Sequence, residues 1–233
     1  MEKVVVLLRD AERDERWCSL LRGAVADKVL ALGVAGLSVN VRDQAVRGSL
    51  MTLTTLEPPV VAVVSIWVQQ SYGEQIRDAV AILAEQCASV AAYLVTESVP
   101  LIPPVTQLGE RTAGLANIAL LRRPDHLDRD TWLARWQLDH TAVAIETQST
   151  FGYTQNVVYK VLTPDAPPID GIVEELFPAE AMTDLRAFFG AADDADLHDR
   201  MSRMVESTSA FGANENIDTV PTSRYVLRTP FVS

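Results

Sequence analysis

Residues 118–156 read IALLRRPDHLDRDTWLARWQLDHTAVAIETQSTFGYTQN. The apolar run over residues 115–121 ends against Arg122 and Arg123 and predicts a buried strand. Pro124 and the charged residues after it break that strand. Asp128 stands where an N-cap belongs. Trp132, Leu133, Trp136, His140, Val143 and Ala144 then recur at helical spacing, which predicts a helix over residues 129–148. Residues 153–162 are rich in β-branched and aromatic side chains and predict a second strand.

Working outward from this unit, Pro164, Pro167 and Pro168 end the second strand. Strand 171–177, a short helix 182–189, a helix 194–211 and a strand 224–228 complete a β-α-β-β-α-β order with one extra helix. Toward the N-terminus the same order recurs. Residues 4–8, VVVLL, predict a strand buried on both faces. Trp17, Leu21, Ala24, Val25 and Val29 predict a helix over 14–32, ended near Gly33 and Gly36. Residues 36–42 alternate apolar and polar, as a half-buried strand does. Strand 60–68 follows Pro58 and Pro59, Ser71 is the expected cap of a helix bearing Ile76, Val80 and Leu83, and residues 89–96 read as a strand. The stretch from Pro100 to Thr112 separates the two units. The expected class is α+β, with tandem ferredoxin-like halves at residues 1–112 and 113–233.

Charge excludes whole classes of partner. A formal net charge of −11 repels phosphate, so neither nucleic acid nor an anionic membrane surface is an expected partner. Cys18 and Cys87 sit among apolar neighbours in no ligand spacing and are expected as buried free thiols. The opening residues, MEKVVVLLRDAERDER, lack the basic start and longer apolar stretch of a secretory signal. Together with thiols suited to a reducing compartment, this leads to the expectation of a cytoplasmic protein.

The segment 118–156 resembles the EthD family of the dimeric α/β-barrel superfamily. The resemblance is carried by Arg122 and Arg123 at the strand end, Trp132, Trp136 and His140 on the helix, and Tyr153, Gln155 and Asn156 after it. Asp170, Gly171 and Glu174 extend it, and it spans about residues 115–228. One feature departs: the family often has a proline soon after the helix histidine, where this chain has Thr141 and Ala142. The resemblance implies two sheets facing each other as an intramolecular dimeric α/β barrel that encloses a cavity. In the family, such cavities serve degradation of small organics, polyketide-type modification or simple binding.

Candidate site residues follow from both the spacing and the resemblance. His140 is expected as general acid or base, because imidazole titrates near neutrality. Tyr153 offers an apolar ring with a polar tip. Strict alternation sends Glu174 and Glu175 to opposite faces of one strand, and the one among apolar residues would have a raised pKa; Glu174, the one in the family pattern, is the candidate. Trp132, Trp136, Gln155, Asn156 and Arg122 are candidate substrate-binding residues. The histidines share no metal-ligand spacing, and no phosphate-binding or nucleophile-elbow motif occurs, so neither metal nor cofactor is expected. A haem would have His140 as its axial ligand. The expected function is cofactor-independent acid/base chemistry, of lyase, isomerase or degradative type, on a small apolar or aromatic molecule. The alternative is a non-catalytic binding or scaffold module. A pair of halves that cover each other leaves the chain a monomer or a homodimer through another surface.

Overall fold

A computed structural model describes residues 1–230. Among them, eight strands form one closed antiparallel barrel: β1 (Glu2–Arg9), β2 (Gly36–Val41), β3 (Val60–Val68), β4 (Ser89–Leu101), β5 (Leu115–Leu121), β6 (Gly152–Val161), β7 (Gly171–Phe177) and β8 (Asp218–Arg228). The order around the barrel is β1-β3-β2-β8-β5-β7-β6-β4, with β4 returning to β1. Strands β1–β4 fill one arc, ordered β4-β1-β3-β2, and β5–β8 fill the other, ordered β8-β5-β7-β6. Closure removes every exposed sheet edge.

The sheets join edge to edge as well as facing across the interior. The seams are β2 with β8 and β4 with β6. The second seam needs a long β4, which runs on to Leu101 and takes up residues expected in the linker; Val95 pairs with Val158 and Leu101 with Tyr153. Strand β8 likewise starts at Asp218, earlier than the expected residue 224, because Thr219, Val220 and Pro221 register against β5.

Apolar side chains separate into cores inside and outside the barrel. Inside lie Val5, Leu7, Val63, Tyr93, Leu120 and Ile172. Outside the first arc, Val4, Val6 and Leu8 pack under helices 15–31 and Glu74–Ala84. This explains why VVVLL is apolar without alternation: both of its faces are covered, and each buried side chain contributes about 1.5–3 kcal/mol. Outside the second arc, Trp132 and Trp136 pack over Leu121 and Val173.

Two local expectations changed. Helix 15–31 is kinked at Gly23, whose φ −110 and ψ −105 interrupt it with a wide π turn. The second helix starts at Glu74 with Gly73 as cap, two residues beyond the expected Ser71, whose amide instead donates to the Glu2 carboxylate. Asp128 caps the 129–147 helix as expected, its carboxylate accepting from the Thr131 amide at 2.9 Å. Among the described residues no helix is long and apolar enough to cross a membrane.

Candidate functional site

The 129–147 helix carries a π turn over Ala134–His140. A regular helix has 3.6 residues per turn, so residues spaced by four drift around it; one wider turn offsets that drift. Trp136 and His140 are therefore both held against the outer face of the second arc. Between this helix, helix 194–210 and that face lies a cavity of about 270 Å³. Leu50, Met51 and Leu53, from the connection between β2 and β3, also line it.

Its polar floor is a row across three neighbouring strands. Asn117 on β5 pairs with Glu175 on β7, and Glu175 pairs with Tyr153 on β6. His140, Trp136 and Phe211 stand over this row. Glu175 Oε1 and Asn117 Oδ1 are buried without any hydrogen-bond partner among the described residues, while the Trp136 N–H is directed toward the Tyr153 hydroxyl. Buried polar atoms left open in this way are costly, and two converging on one cavity read as groups that engage a ligand.

Burial sets the electrostatics of the cavity floor. Burial pushes the Glu175 carboxyl up to about 8 and the His140 imidazole down to about 4. Burial also holds the Tyr153 phenol well above its ordinary range; Glu175 adds to this, and Gln155, Trp136 and Thr141 oppose it. At neutral pH a protonated carboxylic acid and a neutral imidazole thus line the same cavity. His140 Nδ1 lies 2.9 Å from Ser207 Oγ. When Nδ1 carries the proton, Nε2 is the basic nitrogen.

The other expected residues lie elsewhere. Glu174 points into the barrel and sits 2.7 Å from Arg224, so the raised carboxyl belongs to its neighbour Glu175. Asn156 also faces inward, donating to the Ile172 carbonyl at 3.0 Å. Gln155 shares the outer face with Tyr153 but donates to Thr141 Oγ1 at 2.6 Å. Trp132 is fully buried against Trp136, with ring centroids 5.0 Å apart. Arg122 is paired with Asp218 at 2.7 Å, away from the cavity. Asn117 was missed; its signal was one amide in the otherwise apolar LANIALL strand.

The tryptophan pair depends on a bare backbone beneath it. A Cβ at Gly171 would lie 2.6 Å from Trp136 Cη2 and 3.3 Å from Trp132 Cη2. Gly171→Ala is expected to cost about 1–3 kcal/mol through forced repacking, read as a lower urea midpoint. An unchanged midpoint would show that the rings are loosely held.

No family model matches the chain, and no curated protein does. Among solved structures, the chain is similar to an anthrone oxidase-like protein, with TM-score 0.58 and 9% identity over 100% of this chain and 96% of that one. The likeness is one of fold: an α+β chain whose eight antiparallel strands close into one barrel, an arrangement consistent with a dimeric α/β barrel. Weaker likenesses include a mutant chlorite dismutase from Candidatus Nitrospira defluvii, TM-score 0.47, 11% identity, covering 97% of this chain and 92% of that one. Another is a dye-decolorizing peroxidase from Bacteroides thetaiotaomicron, TM-score 0.46, 9% identity, covering 98% and 93%. A cavity of about 270 Å³ lies below the roughly 300–1,000 Å³ common for ligand sites, and it does not fit a tetrapyrrole. Among the described residues no group of three or more His, Cys, Asp or Glu side chains is placed to hold a metal ion.

Proposed function

We propose that the cavity binds a compact, largely apolar organic molecule and moves a proton on it without a cofactor. Glu175 acts as the acid and His140 as the base, while Asn117 and Tyr153 position the polar group of the substrate. The observation that carries this is the pair of oppositely tuned buried groups lining one cavity, the pattern that separates acid from base roles at a single pH. Trp136 supplies an aromatic wall. The EthD resemblance favours a substrate of degradative or polyketide-type chemistry. We also read residues 1–112 and 113–233 as a tandem pair of ferredoxin-like halves, supported by the matching strand order of the two arcs. A barrel complete within one chain favours a monomer.

The test is a thermal-shift screen of small phenols and aromatic ketones, followed by solvent-deuterium exchange into each hit, measured by NMR. Glu175→Gln and His140→Gln are each expected to lower the exchange rate about 100-fold or more, the scale of general acid–base catalysis. Binding should change only a few-fold. Hits that bind the cavity without exchanging would establish a non-catalytic binding module instead. Exchange that survives both substitutions would remove the acid/base assignment.

A further inference from the structure

At one end of the barrel lies a second cavity, of about 620 Å³, separate from the one under the helices. Its walls are the inward side chains of the terminal layer: Lys3, Trp67, Glu97, Thr154, Glu174 and Arg224. The segment crossing the mouth contributes Ile102, Val105 and Leu108, which are 80%, 102% and 54% exposed. Charged groups inside a barrel and bare apolar groups across its mouth both cost stability unless something uses them.

The four charges are arranged by strand order. Glu97 on β4 and Glu174 on β7 flank Thr154 on β6, and Lys3 on β1 and Arg224 on β8 lie on the side that includes Trp67. Lys3 is engaged: its Nζ lies 2.6 Å from Glu97 Oε1 and 4.7 Å from the Trp67 ring centre, while Trp67 Nε1 donates to Glu97 Oε2 at 3.2 Å. The other two charges form an ion pair without an aligned hydrogen bond. Arg224 Nε lies 2.7 Å from Glu174 Oε1, yet it is off the hydrogen-bond line and makes no hydrogen bond. Arg224 otherwise reaches only Thr112 Oγ1, at 3.4 Å, and among the described residues Glu174 accepts no hydrogen bond. Both side chains are about 15% exposed, at 16% and 14%. Arg228 at the lip is turned onto the Val34 carbonyl at 3.0 Å.

A guanidinium with Nη donors to spare, paired with a carboxylate whose second oxygen accepts no hydrogen bond among the described residues, matches a ligand that carries both charges on one carbon. With Arg228 at the lip, the lining carries three cations and two carboxylates, so a lone anion meets two carboxylates and a lone cation meets three like charges. Trp67 and the segment across the mouth offer an apolar wall to whatever extends from the charged end. We propose that the barrel mouth is a binding site for an apolar α-amino acid. The ligand carboxylate engages Arg224, its ammonium engages Glu174, and its side chain lies against Trp67 and the 102–108 segment.

The experiment uses the intact chain, labelled with 15N, titrated with L-phenylalanine, 3-phenylpropanoate and phenethylamine. Indole N–H signals are assigned with Trp67→Phe and Trp136→Phe. L-Phenylalanine is expected to shift the Trp67 signal and leave that of Trp136 in place, while the two singly charged analogues bind at least 10-fold more weakly. Glu174→Gln should lower L-phenylalanine affinity at least 10-fold; if that variant does not fold, the ligand series on the unmodified chain tests the same pairing. An unmoved Trp67 signal, a shift at Trp136 instead, or equal binding of either analogue would overturn the assignment.

Discussion

Asp218→Ala is expected to destabilise the protein by about 3–5 kcal/mol, the scale for breaking a buried ion pair from one side. Asp218 is 1% exposed and stands at the start of β8. One carboxylate oxygen accepts from the Thr55 and Leu56 amides, and the other from Thr55 Oγ1 at 2.9 Å and Arg122 Nη2 at 2.7 Å. One group therefore ties the connection before β3 to the end of β5 and the start of β8. Burial alone would raise its pKa; the Thr55 and Arg122 bonds outweigh that and hold it below 3.8. The sign follows: a folded pKa below the unfolded one gives stability that is present above pH 3.8 and lost as pH falls through the folded value. Alanine removes four hydrogen bonds and leaves the half-buried Arg122 charge without its carboxylate, held by the Asn216 carbonyl alone. Asp218→Asn keeps an acceptor and should cost less. Adding Arg122→Met to Asp218→Ala should recover part of the loss, because the uncompensated charge is gone. Urea unfolding measures all three, and a loss under about 1 kcal/mol for Asp218→Ala would mean that water replaces the carboxylate with little penalty.

Periodicity carried most of the fold. The apolar runs at 4–8 and 60–68 and the capped helix after Asp128 reflect which faces are covered, and coverage is written locally. The alternation over 36–42 predicts a half-buried strand, yet β2 is buried on both faces, because Ser38 and Asn40 turn inward and donate to the Tyr225 carbonyl and Thr222 Oγ1. What stayed hidden was decided by partners distant in sequence. Strand β4 passes its expected end because β6, about sixty residues on, supplies hydrogen bonds to residues that carry a proline and no clear alternation. The π turn at Ala134–His140 has no composition signature. In the site, His140, Tyr153 and Trp136 were legible because aromatic and imidazole groups at helical or strand spacing are conspicuous. The two glutamates were a different matter. Alternation separates them but does not say which faces the helices, and only the barrel's closure makes Glu174 inward and Glu175 outward. Asn117 and Glu175 are neighbours only through strand register, which a single strand does not specify.

Glu175→Gln is expected to make the protein more stable than its parent at pH 8, by an amount on the order of 3–5 kcal/mol, and to flatten its pH dependence above 6.5. Glu175 has a folded pKa of about 8 against 4.5 when unfolded, with burial as the cause. A raised pKa means stability that is full below pH 4.5 and lost as pH rises through 8. His140 works in the opposite sense. Its pKa of about 4 against 6.5 gives stability that is present above pH 6.5 and lost as pH falls through 4. Between 4.5 and 6.5 the two slopes cancel, each being about 1.4 kcal/mol per pH unit. From 6.5 to 8 Glu175 acts with little opposition from His140, and the parent should lose about 1–2 kcal/mol. The cavity lining contributes no Lys or Arg among the described residues to relieve the charge, and Tyr153 stays protonated throughout. Urea midpoints at several pH values from 5 to 8 separate the cases. A parent profile as flat as that of Glu175→Gln above 6.5 would mean that the carboxyl ionises freely there. It would also remove the protonated acid on which proton donation from Glu175 rests, because an acid ionised at neutral pH has no proton to give.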